Sequence, residues 1–385
     1  MTTSERALTL INNSIFFKEF TYSKNEVYRL DGGSVELADN VVWLDDLLLV
    51  YQIKERVHIK KSDTITENRW FRKTVNGQAR KQINDTLKYF KTYRSLPVVN
   101  ERGQKIDVSS ARNNEILKLI IYDPNSELLE VNRRMKFLKG FGTDLIHLFE
   151  IKDYQMVCKY LVTPSELADY LNFREQLYRL HSSKLKFLSE EYVLGHFFTT
   201  LDTTSLNEDY ESNLNRLEND KHSYDVSWML DNFFEKLIMF DKGRPTDYHY
   251  IVKEIAKLNR EELKGFNERY YTTLNNVKTE TFSLPMRFVS PRTRCGFVFI
   301  TLLPDKIALW ENALVNMTEI YKYKHRLEKC LGVVMFRNPP YYDVFWTFSL
   351  GPWQYDEQLA QMVADEEEFY GGSQVQVLPR YQFIY

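Results

Sequence analysis

One stretch constrains the fold of this 385-residue chain more than any other: Glu36-Leu37-Ala38-Asp39-Asn40-Val41-Val42-Trp43-Leu44-Asp45-Asp46-Leu47-Leu48-Leu49-Val50-Tyr51-Gln52-Ile53-Lys54. Two apolar runs flank a pair of aspartates, a pattern that predicts two antiparallel strands joined by a two-residue turn. Leu44 then faces Leu47, and the same register sets Asp39 opposite Gln52. Side chains alternate along a strand, so Lys54 emerges on the face that carries Gln52. A carboxylate, an amide oxygen and an ammonium are thus expected together on one face of an otherwise apolar sheet. Glu36 and Glu55 have the opposite parity and point away.

That grouping has a chemical use. Mg²⁺ prefers oxygen ligands and accepts a few from protein, with water and phosphate supplying the rest. Asp39 would provide the anionic ligand and Gln52 a neutral one. Lys54 would lie beside a scissile phosphate, orienting the attacking water and offsetting developing charge.

Asp39, the strand turn and Gln52-Ile53-Lys54 resemble the core motif of the PD-(D/E)XK, or restriction-endonuclease-like, nuclease superfamily. The resemblance covers the N-terminal third and extends to a following helix that carries Gln78, Arg80, Lys81 and Gln82. It implies an αβββαβ core and cleavage of nucleic acid, DNA rather than RNA, dependent on Mg²⁺ or Mn²⁺. Glu19 matches the place on the first helix where such nucleases carry an extra acidic ligand. Glutamine at 52 departs from the usual carboxylate, and an amide binds Mg²⁺ less tightly. An alternative reading is therefore an inactivated nuclease fold that serves as an adaptor. Beyond about residue 155 the pattern is reminiscent of accessory regions of prokaryotic anti-phage defence nucleases, which implies a homo-oligomer or a partner protein of a defence system.

Charge supports a local polyanion site. The net charge is −2, yet residues 51–110 hold 14 Lys/Arg against 6 Asp/Glu, a balance of +8. Arg56, Lys60, Lys61, Arg69, Arg72, Arg80 and Lys81, with Gln82, are the expected contacts to phosphates. A second E-x-K, Glu150-Ile151-Lys152, closes a strand-like run from Asp144, with Asp123 as its possible partner.

Three regions are expected. Residues 1–155 form the nuclease-like domain, with helices over Ala7–Phe20 and Gln78–Tyr93 and strands at Val35–Leu44, Leu47–Lys54, Val98–Val99, Ile116–Tyr122 and Leu145–Ile151. Residues 156–280 are helical, opening at Thr163-Pro164-Ser165-Glu166 with a capping box and a proline in the first turn. Further helices are expected over Ser189–Leu201, Ser227–Met239, Tyr248–Leu258 and Arg260–Leu274. Residues 281–385 return to an α+β pattern, with strands at Gly296–Leu303 and Val344–Leu350 and helices at Lys306–Cys330 and Asp356–Asp365. The aromatics of this last region, Val344-Phe345-Trp346-Thr347-Phe348 above all, read as core.

Other chemistries lack their motifs. Only 14 glycines occur and no phosphate-binding P-loop is present. The single G-x-G, Gly140-Phe141-Gly142, has Leu145 where a dinucleotide fingerprint needs glycine. Cys158, Cys295 and Cys330 are too scattered for a disulfide framework or a zinc site. No histidine pair has metalloprotease spacing, and no G-x-S-x-G elbow occurs. Without an apolar leader or a membrane-length run, the chain is expected to be cytoplasmic and free of membrane.

Overall fold

A computed structural model describes residues 3–15, 17–23, 26–28, 34–56, 63–100, 102–140, 144–161, 163–206, 210, 214, 229, 238–239 and 248–370. The architecture is mixed α/β, in two compact units, Met1–Asn219 and Asp220–Tyr385. The helical stretch expected over 156–280 is thereby shared between them.

The first unit begins with α1 (Thr3–Ile15) and α2 (Phe17–Phe20), which lead into the short strands β1 (Thr21–Tyr22), β2 (Glu26–Tyr28) and β3 (Ser34–Glu36). The central hairpin follows as β4 (Asn40–Leu44) and β5 (Leu47–Glu55). Its ladder runs from Leu44↔Leu47 to Asn40↔Tyr51, the register expected from the sequence. Asp45 takes the left-handed conformation at the turn, with φ of 58°, and its carbonyl accepts from Trp43 Nε1 and Asn114 Nδ2. Those two bonds secure a turn for which Asp-Asp is not the ideal pair.

A long helical rod connects β5 to the next strand of the sheet: α3 (Thr64–Trp70), a π-helical stretch (Phe71–Ala79) and α4 (Arg80–Thr92). It starts well before the expected Gln78, since Asp63 caps it by accepting from the Thr66 amide at 2.6 Å. After β6 (Pro97–Val99) and β7 (Lys105–Asp107) come β8 (Glu115–Asp123), α5 (Glu130–Arg133), β9 (Phe137–Lys139) and β10 (Leu145–Glu150). The six-stranded sheet has the order β1-β4-β5-β8-β10-β9. β5, β8 and β10 are mutually parallel, so their carboxyl ends share one edge. The start of antiparallel β4 lies at that same edge.

Phe71, Val75, Ala79 and Ile83 turn inward from the rod onto Leu48, Val50, Ile120, Tyr122 and Leu148 of the sheet. Burying such a set is the main stabilising contribution, at about 25 cal/mol per Å² of apolar surface. α6 (Ile151–Tyr160), α7 (Pro164–Leu185) and α8 (Glu190–Thr199) complete the unit. Thr163 caps α7 as expected, accepting from the Glu166 amide. Arg174 of α7 is fully buried between the Phe137 and Phe149 rings. It donates to Glu190 (2.7 Å) and to the Lys136 and Leu148 carbonyls. Lys136 and the Tyr170 hydroxyl also serve Glu190. That crowd of donors holds the Glu190 carboxyl down at about 2 despite its burial.

The second unit holds a five-stranded sheet, β11 (Ile238–Met239), β12 (Met286–Ser290), β13 (Cys295–Leu302), β14 (Lys329–Asn338) and β15 (Tyr341–Leu350), in the order β11-β15-β14-β13-β12. Its helices are α9 (Tyr248–Ala256), α10 (Arg260–Thr279), α11 (Trp310–Lys324) and α12 (Glu357–Tyr370). The helix expected over Lys306–Cys330 stops at Lys324, because Lys329 onward pairs with β13 as a central strand. Of the helix expected over Ser227–Met239, Ile238 and Met239 form β11 and most of the rest lies outside the described residues. Within Val344–Phe348 only Trp346 is fully buried, and Val344, Phe345 and Phe348 are half-buried, so the expected core holds only in part. Tyr341, Tyr342 and Trp353 are exposed.

Candidate functional site

Asp39, Gln52 and Lys54 meet at the carboxyl edge of the parallel strands. Lys54 Nζ lies 3.6 Å from Asp39 Oδ2 and donates to Gln52 Oε1 at 3.4 Å. Asp39 also accepts from the Ile53 amide at 2.5 Å, which ties the residue before β4 to β5 beyond the last ladder pair. Alternation places Gln52 and Lys54 on the face of Leu48 and Val50, beneath the helical rod. Glu55 points to the other face, where its carboxylate accepts from the Ser4 amide at 2.9 Å.

Asp39 is the acidic member of this group. Burial pushes the Asp39 carboxyl above its usual range, against the pull of Lys54 and the Ile53 amide. Glu5 on α1 raises it further. The Asp39 carboxyl is thus poorly solvated, and the Lys54 ammonium is within reach of both the Asp39 and Gln52 oxygens. The donor set suits Mg²⁺ or Mn²⁺, which need few protein ligands. Among the described residues no group of three or more His, Cys, Asp or Glu forms a metal cage.

Glu19 is placed differently from the expectation. β1 pairs Thr21 with Val42, so Glu19 enters at the turn end of the hairpin, away from Asp39. Its side chain is 4% exposed and bound to Arg102 Nε at 3.0 Å. Glu5, the acidic residue of α1, bears on Asp39 by its charge. The sequence carries no signal for it, since the helix was expected to begin at Ala7 and it starts at Thr3.

Arg56 also turns inward, with Nε 3.1 Å from buried Glu67 and its guanidinium over the Trp70 ring. Lys60 and Lys61 lie outside the described residues. Arg69, Arg72, Arg80 and Lys81 are exposed on the rod, with Lys73, Lys88 and Lys91 beside them. Gln78 is exposed, whereas Gln82 is half-buried and its Oε1 has no hydrogen-bond partner.

The second E-x-K does not form a strand motif with Asp123, although Glu150 and Lys152 line one cleft. β10 ends at Glu150, and Lys152 lies in the first turn of α6. Glu150 sits level with Tyr122, so Asp123, one residue on, points to the opposite face. There it accepts from the Ser4 hydroxyl. Glu150 is bound instead by Arg133 at 2.7 Å, on the wall of a charged cleft of about 260 Å³.

No helix among the described residues is long and apolar enough to cross a membrane. No protein-family model, curated protein or solved structure matches the chain.

Proposed function

We propose that the chain is a divalent-cation-dependent nuclease with a restriction-endonuclease-like core, hydrolysing phosphodiester bonds of DNA. The convergence of Asp39, Gln52 and Lys54 at one sheet edge carries the reading. The element order supports it, since a helix, a hairpin and a helical crossover to a parallel strand succeed one another in the first unit.

When bound, Mg²⁺ or Mn²⁺ would polarise the scissile phosphate and lower the pKa of a coordinated water. Asp39 and Gln52 would hold it, with Glu5 adding negative charge from α1. Lys54 would swing from between the two oxygens to the phosphate, where its ammonium orients the attacking water and offsets charge on the pentacovalent centre. The exposed cations of the rod would hold flanking phosphates without reading sequence. One such site cuts one strand, so double-strand cleavage would call for a second copy or sequential nicks. The second unit, which the chemistry does not need, would recognise a partner or trigger, in keeping with a defence effector.

The neutral ligand Gln52 and the ammonium seated between the oxygens also favour an inactivated adaptor. Metal-linked thermal stabilisation separates the two readings. A nuclease site predicts that Mn²⁺ raises the melting temperature of wild type and not of Asp39→Ala. An unchanged wild-type melting temperature would sink the nuclease reading.

A further inference from the structure

The chain leaving α8 folds back over a side chain it has just passed. His196 of α8 is fully buried, and its Nε2 donates to the Asp202 carbonyl at 2.8 Å. From the neighbouring helix, His181 Nε2 donates to the Thr203 carbonyl at 2.9 Å. α7 leaves helical geometry at His181 itself, with φ of −128° and ψ of 30°. Within the loop, the Asp202 amide donates to Thr200 Oγ1, and the Thr204 amide and hydroxyl donate to Asp202 Oδ1. Residues 200–204 thus form a strap in which two successive carbonyls are each held by an imidazole from a different helix.

The carbonyls settle the tautomer. A carbonyl oxygen only accepts, so each Nε2 carries the proton and Nδ1 of a neutral ring is bare. His196 Nδ1 is buried without a hydrogen-bond partner. Aromatic rings pack around the imidazole: Tyr210 is stacked at 4.3 Å between centroids, with Phe173 at 5.0 Å and Tyr192 at 6.3 Å. A proton added at Nδ1 would be a buried donor with no acceptor, on a ring taken out of water. Burial holds the imidazole below its usual range, against the favourable pull of the Asp202 carbonyl and carboxylate. His181, the other titratable group that bears on it, opposes the proton further. By linkage, a folded-state pKa below the unfolded one gives stability that is complete above about pH 6.5 and is lost as pH falls.

We propose that His181 and His196 form a pH-sensitive clasp, which holds residues 200–204 on α7 and α8 at neutral pH and releases them in mild acid. Because Tyr210 stacks on the same His196 ring, the clasp anchors the start of the stretch that carries the chain toward the second unit. The clasp does not depend on the nuclease reading.

The test follows hydrogen exchange in the full-length protein at about pH 7.5 and about pH 5.5, corrected for intrinsic rates. The strap is read at the Asp202 and Thr204 amides, with Val50 of β5 as the reference for the core. The strap amides should lose about tenfold of their protection at the lower pH while Val50 keeps its own. His196→Gln presents an amide donor in place of Nε2 and cannot titrate, so its strap protection should be the same at both pH values. If that variant does not fold, nitrogen NMR of the wild-type imidazoles decides. His196 should then be the neutral Nε2–H form at the higher pH and gain its proton over the range in which the strap amides exchange faster. Equal strap protection of wild type at both pH values would overturn the clasp, as would an equal loss in His196→Gln or a loss shared by Val50.

Discussion

With its ammonium 3.6 Å from Asp39 and 3.4 Å from Gln52, Lys54 balances the charge of the Asp39 carboxylate. On the proposed reading, Gln52 would set how readily a divalent ion binds beside Asp39. Ligand charge tunes the affinity of oxygen sites, so Gln52→Glu should lower the half-saturating Mg²⁺ concentration by about tenfold, read by calorimetric titration. An unchanged or weaker affinity would remove Gln52 from the metal shell. The contacts of Asp39, Gln52 and Lys54 were legible in the sequence because strand parity and a two-residue turn fix a register between them. Glu5 was not, because its approach depends on where α1 begins and how that helix packs. Arg56 was misjudged for a related reason. Its partner Glu67 belongs to a helix whose start was not recognised, and a buried carboxylate draws an arginine inward more strongly than solvent holds it out.

At the scale of elements, two contacts test how the sheets are held. Gly332 in β14 lies under α11, where an added Cβ would run into Thr318 Oγ1. Thr318 is β-branched, and its hydroxyl is held by the Leu314 carbonyl at 2.6 Å, so it has little room to give. Gly332→Ala should cost about 1–3 kcal/mol of stability, measured by urea denaturation. Asp153 in α6 gives a pH-dependent prediction. Burial, then the nearby Glu190, raise its carboxyl to about 7. A raised folded-state pKa means that its stabilising contribution is complete below about pH 4 and is lost as pH rises through 7. Asp153→Asn should therefore stabilise the protein at pH 8, on the order of 1 kcal/mol once partial exposure is discounted, and change little at pH 4. Equal effects at both pH values would contradict the assignment. The C-terminal part of the rod was readable from the stripe Ala79, Ile83, Leu87 and Phe90. Its earlier part was not, since π-helical spacing over Phe71–Ala79 breaks the 3.6-residue period that such readings rely on.

Across the whole molecule, net charge says little, because the cations concentrate on one rod. Arg69, Arg72, Lys73, Arg80, Lys81, Lys88 and Lys91 are all exposed there. Replacing Arg80 and Lys81 by alanine should weaken DNA binding about equally for unrelated sequences. It should also reduce the salt slope of log K by roughly 2, as expected for two lost phosphate contacts. A slope that does not move would place the nucleic acid elsewhere. The two-unit division was not legible, because helices α6 to α8 pair with the first sheet through Arg174 and Glu190, a contact between distant residues that no local pattern announces. The proposal that this edge of the first sheet cuts phosphodiesters is open to direct assay. Its most direct test incubates plasmid DNA and a long RNA with wild type or Lys54→Ala, in Mg²⁺, Mn²⁺ or EDTA. Wild type should cleave DNA only with the cation and Lys54→Ala should not, whereas equal cleavage by both proteins, or none by either, would rule the site out.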